Sequence, residues 1–341
     1  MRKAKYLEPP GIRIIETTQP CILNPDEIKV QVSYAGICPD DVHLYLKGKH
    51  ALLWPGIQSL TGHEFSGIIT EVGDTAKEYG WSCGDRISGV AWNSCGKCNN
   101  CKSGLEHRCL NMQGTSMFAE FVVVNQRQIC KLPDSVSLKE GVFTDPLSFC
   151  LMNDIRSQTQ KPSPDVLIFG ANSIALIMLQ LAKMEGAASI TVVDNNQEKI
   201  ELAKLLGATH VINFSKRDLI FGAIQNCAQD GYDIVYEMSG DPIFLDSAIQ
   251  MMAFGGIILY SSVYSIHDVH VDLSELFLKN GAIRSFSLPQ NNLLDTMRII
   301  PKLNLLPLIS CVYPFEQLEN AFQAQMSNKY EKIIVELFPE E

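Results

Sequence analysis

Two groups of residues in the first third of the chain have the types and spacing to bind metal. Cys95, Cys98, Cys101 and Cys109 follow the pattern C-x2-C-x2-C-x7-C inside a Gly- and Asn-rich stretch. One loop with that spacing can wrap four thiolates around a tetrahedral Zn²⁺ and leave no open position, so the site reads as structural. A disulfide-rich loop or a chance clustering is the alternative, and the odd total of 11 cysteines weighs against it. The second group is looser. Cys38 lies in Gly36-Ile37-Cys38-Pro39-Asp40-Asp41-Val42-His43, and His63-Glu64 in Gly62-His63-Glu64-Phe65-Ser66-Gly67. Sulfur, nitrogen and carboxylate donors together are typical of a catalytic zinc that keeps a position for water or substrate. Each fragment alone is weak, because a single histidine is more often a hydrogen-bonded structural residue.

The elements that must carry these residues follow from length and patterning. A chain of 341 residues predicts two domains with a core in each. A hydrophobic content of 46% and a charged content of 19% describe an ordinary globular protein. The net charge of −10 argues against nucleic acid as the main partner, since phosphate binding needs a basic surface. No apolar run is long enough to span a bilayer, and Met1-Arg2-Lys3-Ala4-Lys5-Tyr6 has no apolar region behind it. The expectation is a cytoplasmic protein without a membrane partner, where thiolates stay available to metal.

Before about residue 165, Gly-punctuated β-branched runs such as Ile28 to Val32 and Phe118 to Val124 predict short strands with long loops. After Asp165, apolar strands alternate with amphipathic helices. The strands are Val166 to Phe169, Ile190 to Val193, Tyr232 to Tyr236 and Gly256 to Tyr260, with helices over Ile174 to Met184 and about Gln197 to Leu206. Alternation at this spacing predicts right-handed crossovers and a parallel sheet. From about residue 287 the pattern weakens, and a last strand, Lys332 to Leu337, fits either domain.

The order of these motifs resembles the zinc-dependent medium-chain dehydrogenase/reductase family over nearly the whole chain, most of all its polyol (sorbitol-type) and threonine dehydrogenase branches. The resemblance rests on Gly36 to His43, Gly62 to Gly67, Val72-Gly73, Gly84-Asp85-Arg86 and the Cys95–Cys109 lobe. Phe118-Ala119-Glu120-Phe121, Asp145-Pro146-Leu147 and the nucleotide-binding half extend it. It implies an α/β protein: a GroES-like β-barrel catalytic domain over 1–149 with a structural zinc lobe at 90–112, a doubly wound Rossmann domain over 150–286, and a segment 287–341 returning to the catalytic domain. It further implies that Cys38, His63, Glu64 and Asp145 hold a catalytic zinc, giving two Zn²⁺ per chain. Family members associate through the edge of the nucleotide sheet, so the implied assembly is a homodimer or homotetramer.

Asp194 ends the second strand of the nucleotide half, where a carboxylate accepts hydrogen bonds from both adenosine ribose hydroxyls and repels a 2′-phosphate, favouring NAD over NADP. Lys199 tempers this, either as a cation tolerant of that phosphate or as part of a solvated helix face. The phosphate loop Gly170-Ala171-Asn172-Ser173-Ile174-Ala175 keeps one of three expected glycines. Asn172 stands where the backbone must approach the pyrophosphate, and asparagine tolerates left-handed backbone better than most residues. Ser239, after the fourth strand, is a candidate contact in the segment where the family lines the nicotinamide end of the site.

The implied reaction is reversible oxidation of a secondary alcohol, a small-molecule alcohol/ketone pair being the substrate. Relatives start a proton relay from Ser or Thr two residues after the zinc cysteine; here that residue is Asp40, which can act as the general base. Asp41 matches a family aspartate of structural role, and His43 the distal relay histidine. Cys150-Leu151-Met152 stands where relatives have Gly-x-His, and Pro39 stiffens the turn at Cys38. These departures keep a second reading open, a catalytically silent member acting as a ligand-binding or scaffold protein. A third, a zinc-independent reductase of the quinone oxidoreductase type, is disfavoured by the intact ligand sets.

Overall fold

The computed structural model describes residues 1–48, 60–214, 222, 224, 228–261, 269, 271–287, 292–327 and 329–338. The chain divides into two compact units, one formed by 1–148 with 289–341 and the other by 149–288.

The first unit is built on a seven-stranded sheet. In space its order is Ile309–Pro314, Lys332–Glu336, Glu27–Gly36, Glu64–Val72, Arg86–Gly89 and Ile129–Lys131, with Phe121–Asn125 pairing on Glu27–Gly36. Along Glu27–Gly36, Ile28, Val30 and Val32 alternate into the core, as a half-buried antiparallel strand should. From Val32 onward every residue is buried, because Lys332–Glu336 covers the end of the strand. The last strand therefore belongs to this unit, pairing antiparallel with Glu27–Gly36. The core gathers Val30, Val32, Phe65, Phe118, Phe322 and Val335. The strand expected from Phe118 begins only at Phe121; Phe118 itself bonds outside the sheet, its N–H to the Thr61 carbonyl and its carbonyl to the Ala4 N–H.

The second unit is a six-stranded, wholly parallel sheet in the order His210–Asn213, Ser189–Asp194, Asp165–Phe169, Tyr232–Glu237, Met252–Tyr260 and Ala282–Ser285. In chain order this is 3-2-1-4-5-6, the doubly wound arrangement, and strand order reverses beside Asp165–Phe169. Asp165–Phe169 is apolar on both faces after its first residue, as a central parallel strand requires. The helix Gln197–Leu206 stops at Gly207, whose φ of 114° is the left-handed cap that frees the chain to turn into the next strand. The expected α/β class, a GroES-like unit with a Rossmann-type unit, is the one observed. Among the described residues no helix is long and apolar enough to cross a membrane.

Candidate metal centres and nucleotide loop

The helix Pro39–Lys47 starts immediately after Cys38, which is its N-cap, with proline at the first position. Asp41, three residues on, accepts a hydrogen bond from the Cys38 N–H at 2.9 Å, closing a capping box around the cysteine. The other oxygen of Asp41 accepts from the Gly62 N–H at 3.1 Å and lies 3.7 Å from His63 Nδ1. One buried carboxylate thus ties together the two segments that carry the ligands. Gly62 is required here: its φ is 78°, and a Cβ would sit 2.9 Å from the Phe118 ring.

Cys38 sulfur, a His63 ring nitrogen and a Glu64 oxygen converge within 4.8 Å of one another. Zinc bonds of about 2.0–2.3 Å put tetrahedral ligand atoms about 3.3–3.8 Å apart, so the donors fit such an ion after small shifts. His63 Nδ1 is buried with no hydrogen-bond partner, and so is Asp145 Oδ1 on the helix Thr144–Leu151. Asp145 is not in the three-ligand cluster.

The electrostatics suit a cation. Burial pushes the Cys38 thiol up to about 12, so a bound ion must displace that proton. Burial would lower His63, but Cys38 and then Asp41 raise it well above its usual value. Burial raises Asp145 to about 7, and burial also raises Asp40, against the pull of His63. His43 sits three residues beyond Asp40 on the same helix, and its charge acts on the Asp40 carboxyl.

Glu64 has a partner that sequence reasoning missed. Lys332 Nζ donates to both of its oxygens, at 2.8 and 2.7 Å. Their two strands flank Gly36 from opposite sides, which brings the chain ends of the unit together. The available signal was a lysine opening an otherwise apolar strand, Lys332-Ile333-Ile334-Val335. As a ligand, Glu64 would share its carboxylate with Lys332.

In the lobe, the four sulfurs of Cys95, Cys98, Cys101 and Cys109 also lie within 4.8 Å of one another. Cys98 to Cys101 is 3.5 Å and Cys95 to Cys101 is 4.0 Å, close to the spacing of about 3.8 Å in a tetrahedral zinc tetrathiolate and far from the ~2.05 Å of a disulfide. All four cysteines are free. Backbone N–H groups of Lys97 and Cys98 lower Cys95 to about 6, and N–H groups also point at Cys109 from Cys95 and Asn111. Such amide cradles stabilise thiolates.

In the second unit the loop residues meet at the C-terminal ends of the strands. Gly170 has φ 92°, and a Cβ there would press on the Ser239 backbone at 3.0 Å. Asp194 accepts from the Ala171 N–H and the Asn196 N–H, both at 2.8 Å. Asn172 does not use left-handed backbone; its φ and ψ are −75° and 174°. It instead caps the helix Ser173–Met184, accepting from the Ala175 N–H at 3.0 Å and donating to the Met238 carbonyl at 2.8 Å. Ser173 opens that helix, buried, and Ile174 is half-buried behind it. The exposed Ser239 bonds through its hydroxyl to Glu237 at 2.5 Å. Lys199 is buried, which corrects the expectation of a solvated helix face.

The alcohol dehydrogenase GroES-like domain model matches residues 24–134, and the zinc-binding dehydrogenase model matches residues 173–300. The chain is 28% identical over 351 aligned positions to an L-threonine 3-dehydrogenase of Colwellia psychrerythraea, covering 98% of both chains. A solved structure from Clostridium scindens, ascribed to the zinc-binding dehydrogenases (gutB), superimposes with a TM-score of 0.89 at 27% identity, covering 99% of each chain. Galactitol-1-phosphate dehydrogenase from Escherichia coli shares the fold, with a TM-score of 0.86 at 24% identity and 99% and 100% coverage. With both metal-ligand sets and both unit folds in place, the chain is a member of the zinc-dependent medium-chain dehydrogenase/reductase family, in its polyol- and threonine-dehydrogenase-like branch.

Proposed function

We propose that this dehydrogenase oxidises a secondary alcohol (a polyol, a sugar-derived alcohol or an amino alcohol) reversibly, with NAD as the hydride acceptor. The observation that carries the reading is the convergence of Cys38, His63 and Glu64 within 4.8 Å, with Asp41 bridging their segments. Cys38 and His63 would hold zinc, with Glu64 and Asp145 as the carboxylates available to complete or exchange in its coordination, and the lobe cysteines would hold a second ion. A zinc ion there supplies Lewis acidity to an alcohol oxygen, and a nicotinamide supplies the acceptor. Asp41 orients His63 by facing Nδ1, which leaves Nε2 for the metal. Asp40 accepts the hydroxyl proton, and His43 passes it towards solvent. Asp194 would hold the adenosine ribose, with Gly170, Asn172, Ser173 and Ile174 beside the pyrophosphate and Ser239 beside the loop. The buried Lys199 leaves the carboxylate of Asp194 to favour NAD over NADP.

Among the described residues the edge strand Ala282–Ser285 leaves one side of the parallel sheet unpaired, with exposed Phe254, Phe277 and Leu278 on nearby elements. That edge supports self-association into a homodimer or homotetramer. A silent scaffold would have no use for sulfur, nitrogen and carboxylate donors converging on one point, so that reading is not favoured. The test pairs metal analysis with the ultraviolet absorbance of reduced nicotinamide across a panel of polyols, sugar alcohols and amino alcohols. About two zincs per chain with turnover on NAD⁺ is the expected result. A single zinc without turnover or NAD binding would overturn the reading, and sedimentation would report the oligomer.

A further inference from the structure

The chain that leaves the cysteine lobe is fastened to the segment that carries His63. Phe118 N–H donates to the Thr61 carbonyl at 2.9 Å, Met117 N–H to the Gly62 carbonyl at 3.2 Å, and Thr61 N–H to the Ser116 hydroxyl at 3.1 Å. Buried Leu60 packs against Gly114, where a Cβ would sit 2.5 Å from the leucine side chain, so glycine permits the approach. The chain that enters the lobe meets the same segment through a ring. Trp92 lies 5.9 Å from the His63 imidazole, the two planes tilted by 34°.

The two fastenings join in a stem. Trp92 pairs with Gly114 and Asn93 with Gln113, antiparallel, and the loop 94–112 between them holds all four lobe cysteines. A ribbon of two residue pairs is not stable alone, and closing a loop of that length costs entropy that two pairs do not repay. The lobe has little else to fold it. Leu110 is 78% exposed, and Asn99–Lys102 and Glu106–Arg108 are single helical turns. An ion held by the four thiolates would order the loop, so metal binding and stem formation go together. Trp92 also lines a cavity of about 110 Å³ together with Glu106, His107 and Met112 of the lobe. The indole thus has the His63 ring and lobe residues as neighbours.

We propose that the two metal centres are coupled: a filled lobe holds Trp92 against His63, and Trp92 is the positioning residue that fixes the imidazole for its own metal. This coupling rests on the reading of both clusters as zinc sites. Asp41, 3.7 Å from Nδ1, constrains one edge of the ring but leaves it free to turn about that contact. The indole supplies the second constraint. By linkage, each filled centre raises the affinity of the other by the same factor.

The test is titration with cobalt(II), against a competing chelator, of metal-free protein whose lobe has been refilled with an equimolar amount of zinc. Sulfur-to-cobalt absorption reports the site of Cys38, and circular dichroism verifies the fold of each variant. Cys101→Ser, with its lobe empty, should bind cobalt at Cys38 and His63 about fivefold or more weakly. Trp92→Leu, with its lobe cysteines intact, should show the same loss and shifted ligand-field bands. Trp92→Phe, which keeps a ring beside His63, should restore most of the affinity. Cys38→Ser should in turn weaken zinc binding by the lobe. Unchanged cobalt affinity in folded Cys101→Ser, or in Trp92→Leu, overturns the coupling. If Cys101→Ser does not fold, the Trp92 pair decides: loss in the leucine variant with retention in the phenylalanine variant supports the coupling, and equal loss in both overturns it. Absence of cobalt at Cys38 in every protein, wild type included, overturns the metal-centre reading itself.

Discussion

Lys332 and Glu64 form a two-pronged ion pair at the candidate metal centre, Nζ lying 2.8 and 2.7 Å from the two carboxylate oxygens, with each residue only 1% exposed. Two strands from opposite ends of the unit deliver it. The pair holds the carboxylate beside Cys38 and His63 while satisfying a charge that would otherwise be buried alone.

Lys332→Met should therefore be strongly destabilising. Removing one partner of a buried pair leaves the other charge unmatched and costs about 3–5 kcal/mol. Glu64→Gln added to Lys332→Met removes the stranded charge and should restore much of that loss. Denaturant unfolding of the metal-free proteins reads both. Equal stability of the single and double variants would mean that the pair contributes only packing.

Substituting Cys101, one of the two buried lobe cysteines, by serine should remove about one zinc per chain, since a tetrathiolate site loses affinity when one thiolate becomes a weak oxygen donor. The variant should also unfold at a lower temperature. Metal analysis with thermal scanning decides it, and unchanged zinc content would place the ion elsewhere.

Asp40→Asn should lower kcat by about 10²–10⁴ while zinc content and NAD binding hold, because it removes a proton acceptor and leaves the ligands untouched. Stopped-flow hydride transfer measures this. A wild-type rate in the variant would return the relay to another group.

In the second unit, burial pushes the Glu185 carboxyl up to about 7, with Asp154 adding to the shift. A raised acid pKa means that the folded state binds this proton more tightly than the unfolded chain. The group's stabilising contribution is then present below the ordinary carboxylate value and lost as pH rises to about 7. Wild type should lose more stability than Glu185→Gln between about pH 4.5 and 7. Parallel urea titrations of the two proteins check it, and matching pH profiles would show that Glu185 ionises freely.

The sequence by itself determined what depends on local spacing. The C-x2-C-x2-C-x7-C lobe is legible because a single loop carries all its ligands, and the strand–helix alternation after Asp165 is legible because its periodicity is local. The run from Cys38 to His43 is legible as donors set side by side, while the helix from Pro39 that turns Asp41 back onto the Cys38 N–H appears only in the structure. What only tertiary structure decided joins distant segments. Lys332 reaches Glu64 across 268 residues, and its strand falls in the first unit because it pairs with Glu27–Gly36. Asn172, in a glycine's place, suggests tolerated left-handed backbone, yet it is an ordinary helix cap whose amide also reaches Met238, 66 residues on. Lys199 has the helical position of a surface lysine but is buried, because helix periodicity says which residues share a face and not what covers it.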